Sequence, residues 1–526
     1  MQEKKLFTVF YIFIMCLSVL LLRIMSITLD TDGKYANAAA DQQTYSLDVV
    51  SRRGYIYDCN GERLTYDIDG YIAVVSPSEL KSKYVLTLHG ANLEEVEEKL
   101  KAKKPFCVRV DESFKADGVT VIKVPLTSSG LLNHITGYVN SDGNGVTGIE
   151  ENFNEFLKSN GGTVEAHTTL TALSRQLGGT GVSVFSESYE NEAGVILTID
   201  KEIQEAANKA ADEYVKKGAV VVCNINGEIK ALVSRPDYDT ANVGAYLDSN
   251  DGELVNRALQ NYNLGSVFKI VTAAAAIENG TYSDSYVCDG NIKVGDINLS
   301  CHKEEGHGQV DMRNAFINSC NPYFIDTGLK TGYVKLIDMA KRFGLGKEKV
   351  FCSKIKGSAA VLQKSRVTDG LTANISIGQG DITVSPLDAA SLVLTVVNDG
   401  EYTPMTLIKG MKNSDGTVTE YVSGEEKYQS ISKETAKILK QFMIDTVNEG
   451  TGTSAKSENI TAGGKTASAE TGWKNNEVHG WFVGFIPADE PKYIISVIVE
   501  NGRSGSASAA PCFARISNDI DNLKSK

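Results

Sequence analysis

The sequence predicts an α+β protein carried on one membrane-spanning helix, with a modest N-terminal module and a larger second unit. Three observations predict this. An uninterrupted apolar run lies at the very start of the chain. Short strand-like runs alternate with a charged helix over the next hundred residues or so. Beyond Val195, strands and amphipathic helices recur, including a strand pair closed by Asn226-Gly227, a strong hairpin signal.

The 526 residues suffice for two or three domains. Apolar residues at 42% and charged residues at 23% give an ordinary globular balance that can bury a sizeable core. The net charge of −13 argues against a nucleic-acid partner, which would need a basic face to offset phosphates. As a general property, the acidity serves solubility.

The apolar run, Leu6 to Leu22, carries only the hydroxyls of Thr8 and Ser18. Arg23 can snorkel, and Ile24 to Ile27 extend the run, so residues 6–27 are about long enough for one crossing of a ~30 Å hydrocarbon core. Lys4 and Lys5 precede it and Asp30 and Asp32 follow, which makes residues 1–5 a cytoplasmic tail and puts the bulk of the chain outside. A cleaved signal peptide is the competing reading, with Ala36-Asn37-Ala38 as its cleavage site. The run is too long for it and the site too far past the run.

A polar linker, Asp30 to Gln43, leads into the first module. There, strands are expected at Tyr55–Tyr57, Tyr71–Val75 and Val119–Val124, and a helix at Leu93–Lys103. Gly161 to Gly181, rich in Gly, Thr and Ser, reads as a connector, so module and linker together take residues 28–194. The second unit, 195–526, opens with a strand at Val195–Ile199 and a helix at Ile203–Val215 that Asp200 caps. Strands follow at Ala219–Ile225 and Ile229–Val233, and near the end at Gly480–Ile486 and Tyr493–Glu500. There is no repeat at a fixed period. Of the nine cysteines, Cys16 lies in the apolar run, and Cys107, Cys223, Cys352 and Cys512 read as small buried hydrophobes.

Chemistry is concentrated in three short motifs. Ser266-Val267-Phe268-Lys269 has a spacing that recurs at Ser78–Lys81, Ser353–Lys356 and Ser430–Lys433, so the spacing alone says little. Context separates the first copy. Gly265 precedes it, and Ile270–Ile277 is an apolar, Ala-rich helix closed by Asn279-Gly280. Ser266 therefore starts a helix and Lys269 sits one turn on, on the same face, where a buried amine can take the serine proton. The other copies lack that helix and read as solvated loop or helix surface. The second motif is Ser319-Cys320-Asn321, which with Pro322 also reads as a helix N-cap. The third is Gly464-Lys465-Thr466-Ala467-Ser468, which also reads as a loop entering a strand.

Ser-x-x-Lys, Ser-x-Asn and Lys-Thr-Gly in this order resemble the signature of penicillin-binding proteins and serine β-lactamases. The likeness extends to Asn256-Arg257-Ala258, Ile377-Gly378-Gln379-Gly380 with Ser385-Pro386-Leu387, and His479 to Phe485. In the first module, Arg53 to Gly61, Gly137-Tyr138-Val139-Asn140 and Gly148-Ile149-Glu150 resemble the pedestal of class B penicillin-binding proteins, the monofunctional transpeptidases of peptidoglycan synthesis. The resemblance implies an antiparallel sheet flanked by helices for residues 195–526. It implies that Ser266 attacks the penultimate D-Ala carbonyl of a stem peptide with Lys269 as base, while Ser319 and Asn321 relay protons and hold the peptide amide. It implies that Lys465 and Thr466 bind the terminal carboxylate, and that the backbone N–H groups of Ser266 and Ser468 form an oxyanion hole, each such donor being worth roughly 10²–10³ in rate. An amine of a second stem peptide would then form the cross-link, and β-lactams would acylate Ser266 as substrate mimics. A membrane glycosyltransferase is the partner implied, and the acyl transfer needs no cofactor.

Two residues depart from the family pattern. Leu264 stands where Pro is usual, a change that a loop tolerates. Ala467 stands where the third motif has Gly, with its methyl expected at or beside the floor of the cleft, or disturbing the backbone, and crowding bulky β-lactam side chains; harmless drift is the plainer reading.

A candidate metal site accompanies the motifs. Cys288 and Cys301 flank a hairpin-like stretch, Ile292–Ile297, with His302 and His307 directly after and Asp289 and Asp311 nearby. Cys288, Cys301 and His307 fit a structural zinc site, although the spacing is not that of a standard finger. A Cys288–Cys301 disulfide is the rival, and His307 between two glycines also reads as a turn residue. Two other functions compete with the transpeptidase: a hydrolase of the D,D-carboxypeptidase or β-lactamase type, and a non-catalytic cell-wall scaffold. The membrane helix and the extra module argue against a β-lactamase, and the complete set of chemical side chains argues against a scaffold.

Overall fold

The computed structural model describes residues 2–28, 44–128, 130–140, 143–169, 182–187, 192–240, 242–362, 366–380, 382–422, 424–470 and 477–524. The linker 30–43, Ala36-Asn37-Ala38, the connector beyond Thr169 and Ser525 lie outside them.

The apolar run forms a helix, Gln2–Thr28. Its span Lys4–Thr28 is long and apolar enough to cross a membrane. Its hydroxyls fold back on their own helix: Thr8 Oγ1 donates to the Lys4 carbonyl at 2.8 Å and Ser18 Oγ to Ile14 at 2.9 Å. That satisfies two polar groups hydrocarbon could not.

The rest divides into two compact units. The smaller takes residues 1–52, 67–127 and 161–190. Its first three-stranded sheet runs in the order Phe106–Val110, Tyr66–Val75, Val119–Ser128. The helix Leu93–Lys101, capped by Asn92 Oδ1 on the Glu95 amide, packs with this sheet, Val96 joining Ala73, Val75 and Val108 in one core. Its second sheet runs Thr44–Arg52, Gly162–Thr169, Val182–Glu187. Gly162–Thr169 was expected as connector. It is a strand because its residues alternate: Val164 and Ala166 turn inward to Val49 and Val74, and the intervening Thr163, Glu165 and His167 are half-buried.

The larger unit takes residues 53–66 and 128–160 as well as 191–526. Two interactions account for this. Tyr55–Tyr57 pairs in parallel with Gly194–Leu197, which continues the sheet to Ile408–Lys412. Arg53, buried, binds Glu150 Oε2 through Nε at 2.6 Å, its Nη1 donates to Gly143 O and Asn154 Oδ1, and its Nη2 to Glu150 O.

At the centre of this unit is a five-stranded antiparallel sheet: β1 (Gly218–Asn224), β2 (Ile229–Arg235), β3 (Gly463–Glu470), β4 (Val478–Ile486) and β5 (Tyr493–Val499), in the order β2-β1-β5-β4-β3. Around it lie α1 (Lys201–Tyr214), α2 (Lys269–Asn279), α3 (Asn321–Thr331), α4 (Pro386–Val397), α5 (Lys433–Glu449) and α6 (Ala510–Lys524). Alternation along the strands makes two cores. Val220 and Val222 meet Ala207 and Ala211 of α1 and Phe513 and Ile516 of α6. Ala219, Val221 and Cys223 face the opposite way, into the core that holds α2 and α4. Asp200 caps α1 as expected, and Gly280 ends α2 in the left-handed conformation. Cys223, Cys352 and Cys512 are buried as expected, while Cys107 is half-buried.

Candidate active site

Gly265 has a φ of 59°, a conformation that favours glycine, and its N–H donates to the carbonyl of Gly378 at 2.9 Å. A Cβ on Gly378 would lie 2.1 Å from the Gly265 carbonyl, so two glycines let the 377–380 block brace the turn ahead of the nucleophile. The chain then runs through one 3-10 turn, Gly265–Phe268, into α2, which places Ser266 half-buried at the floor of a cavity.

Lys269 is fully buried on the first turn of α2. Its Nζ donates to Ser319 O at 2.7 Å, Ser319 Oγ at 3.2 Å and Asn321 Oδ1 at 2.8 Å. Ser319 presents both oxygens because it has a φ of 55°, just past the helix Met312–Ile317. A non-glycine residue in that region is strained, and such strain gathers at functional sites. The second motif does start a helix, as its N-cap reading expects: Cys320 is the N-cap residue of α3, without a side-chain cap, and Pro322 follows in the first turn. Burial pushes the Lys269 amine down to about 7, opposed by the sulfurs of Cys320 and Cys301. Lys465, also fully buried, is held well below the usual lysine range by burial and then by Lys269. Two ammonium groups this deep and this close do not both stay charged.

The third motif lies on β3, the edge strand. Lys465 Nζ donates to Thr466 O at 3.2 Å, and Thr466 Oγ1 shares a 2.7 Å hydrogen bond with Thr451 Oγ1. Ser506 Oγ secures Thr451 from behind, and Ser468 Oγ accepts from the Gly505 amide at 3.3 Å. A single cavity of about 520 Å³ is lined by Ser266, Ser319, Asn321, Thr466 and Ser468, among others. All eight residues expected from the three motifs thus meet at or around one cleft.

Ala467 lies at the cavity beside the nucleophile turn. It is 3% exposed, and a Cβ built on Gly265 would come within 3.3 Å of its methyl. The methyl lies against the Gly265–Ser266 turn, and Ala467 is part of the cavity lining. Of the decoy serines expected to be solvated, Ser430 is buried, bound to the carbonyl of Arg342. Thr451, Gln379 and Ser506 line the cleft without having been picked out as site residues. Gln379 lies in the Ile377-Gly378-Gln379-Gly380 block, but nothing local marks Thr451 or Ser506.

Behind the second motif, Cys288, Cys301 and His307 converge as expected, and Cys320 joins them, their ligand atoms all within 4.8 Å of one another. His307 Nδ1 is 3.7 Å from Cys288 Sγ and 3.5 Å from Cys301 Sγ. Cys288 and Cys301 are free thiols. Cys320 was missed because it is the variable position of Ser-x-Asn. Asp289 is not in the cluster, and Asp311 instead caps the helix Met312–Ile317.

An antiparallel sheet edge facing a buried Ser-x-x-Lys helix, with Ser-x-Asn between them, defines a penicillin-binding type of acyl-transfer domain. The family description "Penicillin binding protein transpeptidase domain" matches residues 218–518. Stage V sporulation protein D of Bacillus subtilis is 28% identical, over 92% of this chain and 80% of that protein. The peptidoglycan D,D-transpeptidase MrdA of Acinetobacter baumannii is 25% identical, over 97% of this chain and 87% of that protein. The ceftriaxone acyl-enzyme complex of penicillin-binding protein A from Mycobacterium tuberculosis shares the fold, with a TM-score of 0.65 at 22% identity over 88% of this chain and 97% of that one. The chain belongs to the penicillin-binding protein transpeptidase family, in its class B branch.

Proposed function

We propose that this chain is a serine-type peptidoglycan D,D-transpeptidase, with Ser266 as nucleophile and Lys269 as base. The observation that carries this is the placement of a buried amine, held near neutrality, between Ser319, Asn321 and the start of the Ser266 helix. Ser266 Oγ forms a bond to the penultimate D-Ala carbonyl carbon, and its proton passes to Lys269 Nζ. The bond to the terminal D-Ala nitrogen breaks, and that nitrogen takes a proton through Ser319. An amine of a second stem peptide then attacks the ester, its proton returning through Lys269, and frees Ser266. Lys465 and Thr466 hold the terminal carboxylate meanwhile. Penicillins enter the same path and stop at the ester.

Residues 6–27 anchor the chain in the membrane, and Lys4 and Lys5 set the catalytic unit outside the cytoplasm. A membrane glycosyltransferase supplies the strands to be joined. Mass spectrometry after penicillin exposure tests the reading: a stable adduct on Ser266 is expected, fast release of hydrolysed penicillin favours a hydrolase, and no adduct favours a scaffold.

We also infer a structural zinc ion at Cys288, Cys301, His307 and Cys320. Three sulfurs and one imidazole within 4.8 Å suit a closed tetrahedral site. Gly290 and Gly306, at φ of 97° and 78°, let the loops carrying these ligands approach closely: a Cβ on Gly306 would lie 2.1 Å from Cys288 O. An ion there would fix Cys320, and with it the two residues that hold Lys269.

A further inference from the structure

Asn263 stands three residues before the nucleophile and is bonded to both strands at this edge of the sheet. Its Nδ2 donates to Glu470 O, at the end of β3, at 3.0 Å. Its own carbonyl accepts from Trp481 Nε1, on β4, also at 3.0 Å. Trp481 is fully buried and is the cross-strand partner of Ala467, so the two bonds fall on either side of Ser468. On the opposite flank, Asn263 pairs with Thr383 in a short antiparallel ladder. Tyr262, its neighbour, packs edge-on against Trp481, with ring centres 6.2 Å apart.

Among the described residues, the Asn263 amide makes the one hydrogen bond that crosses from residues 262–268 to β3. The turn otherwise meets that strand through apolar contact: a Cβ built on Gly265 would lie 3.3 Å from the Ala467 methyl and 3.2 Å from that of Ala469. Methyl contacts set how closely two segments approach but barely resist one sliding along the other. A hydrogen bond resists sliding, because it weakens steeply once its length and angle depart from the favoured range. The spacing bears on catalysis. The oxyanion of the tetrahedral intermediate takes one N–H from Ser266, on the turn, and one from Ser468, on β3. Two donors on separate segments keep their geometry only if the segments are tied, and a displacement of about 1 Å can cost on the order of 10²-fold in rate.

We propose that Asn263 is a positioning residue whose side-chain amide straps the nucleophile turn to β3 and so sets the separation of the Ser266 and Ser468 N–H groups. The strap rests on the transpeptidase reading and adds to it how the two halves of the oxyanion hole keep their spacing. Asn263 is not among the residues that line the cavity, so it acts through the backbone on either side of the reacting carbonyl. The position calls for a donor. A carboxylate there would face the Glu470 carbonyl with no proton to offer, and an aliphatic side chain would make no bond at all.

The test compares the full-length chain in detergent with Asn263→Ala, Asn263→Asp and a control, Asn261→Ala. Asn261 Nδ2 makes a bond of the same kind to Ala359 O at 2.7 Å, two residues away but not to β3. Stopped-flow mixing with fluorescent penicillin separates the noncovalent dissociation constant from the acylation rate, counted per enzyme that finally labels. Asn263→Ala should slow acylation roughly tenfold and leave the dissociation constant unchanged; the Trp481 bond survives, so the loss stays below the ~10²–10³ of a missing donor. Asn263→Asp, with the same shape and a carboxylate against a carbonyl, should be slower still above neutral pH. In infrared difference spectra the acyl-enzyme ester carbonyl should move to higher wavenumber in both variants, because a looser oxyanion hole polarises it less. A role in stability alone leaves that band in place. Asn261→Ala should keep the wild-type rate and band. A wild-type rate and band in Asn263→Asp, which preserves the side-chain shape should Asn263→Ala fail to fold, overturns the strap and leaves the transpeptidase standing. An equal loss in Asn261→Ala does the same. A wild type that penicillin does not label at Ser266 overturns both.

Discussion

Lys269 Nζ sits 2.8 Å from Asn321 Oδ1, in a contact that joins the first motif to the second across 52 residues of chain. The amine is held from the side of Ser319 and Asn321, and its hydrogen bonds to described residues all run there rather than to Ser266 Oγ. Catalytic contacts of this kind commonly tighten only once substrate is bound.

The first prediction concerns pH. Lys269 must be neutral to take the serine proton, and burial sets its pKa at about 7. Below that pH the amine is protonated and acylation is slow; above it the rate reaches a plateau. Second-order acylation by fluorescent penicillin, followed from pH 5.5 to 9, should therefore rise with a midpoint near 7. Lys269→Arg, which stays charged throughout, should lose roughly 10²–10⁴ in rate. A flat profile would exclude Lys269 as the base.

The second concerns Ala467 and Gly265. Because the Ala467 methyl lies against the nucleophile turn, Ala467→Gly is expected to leave the ratio of acylation rates for large cephalosporins and small penicillins unchanged. Removing a buried methyl from a strand should cost about 1 kcal/mol of stability. Gly265→Ala should cost more, through its left-handed φ and a Cβ only 3.2 Å from that of Ala469. Melting temperatures and paired acylation rates check both. A selective gain for large cephalosporins in Ala467→Gly would bear out the crowding view.

The third concerns zinc. Purified protein should contain one equivalent by elemental analysis, and Cys320→Ser should lower that content and slow acylation together. Chelation should lower the melting temperature of the wild type more than that of Cys320→Ser. Protein without zinc, carrying an intact Cys288–Cys301 bridge, would end the proposal.

The fourth concerns the pair beside the nucleophile approach. Arg257 Nε lies 2.9 Å from Glu500 Oε1, with 5% and 15% of the two side chains exposed, and Tyr262 OH donates to the same oxygen at 2.8 Å. Glu500→Ala leaves a buried guanidinium without its carboxylate, which should cost ~3 kcal/mol. Denaturant unfolding measures it, and a loss under 1 kcal/mol would show that water or Asp251 and Gly252 carbonyls suffice for Arg257.

Much of this site was legible in the residues. Gly265 ahead of an apolar helix marked the real Ser-x-x-Lys among its copies, and Lys269 followed from helical spacing. Strand-forming apolar runs located β4 and β5, and Asn226-Gly227 located the turn between β1 and β2. Gly162–Thr169 was misread because its Gly and Thr content resembles a loop; burial of Val164 and Ala166 against distant strands decided otherwise. Cys320 was missed because a thiol inside a motif says nothing about neighbours 19 and 32 residues earlier, where Cys301 and Cys288 lie.

By itself the sequence determined what acts over one turn or one strand: the membrane-length apolar helix, the serine and lysine on a shared helical face, and the order of the three motifs. Those follow from periodicity and backbone preference, which are local. The tertiary structure alone decided that Ser319 points both of its oxygens at Lys269, that Ala467 lies against Gly265, and that Cys320 closes a four-ligand cluster. Each is a contact between segments far apart in the chain, and such contacts are fixed by packing and burial.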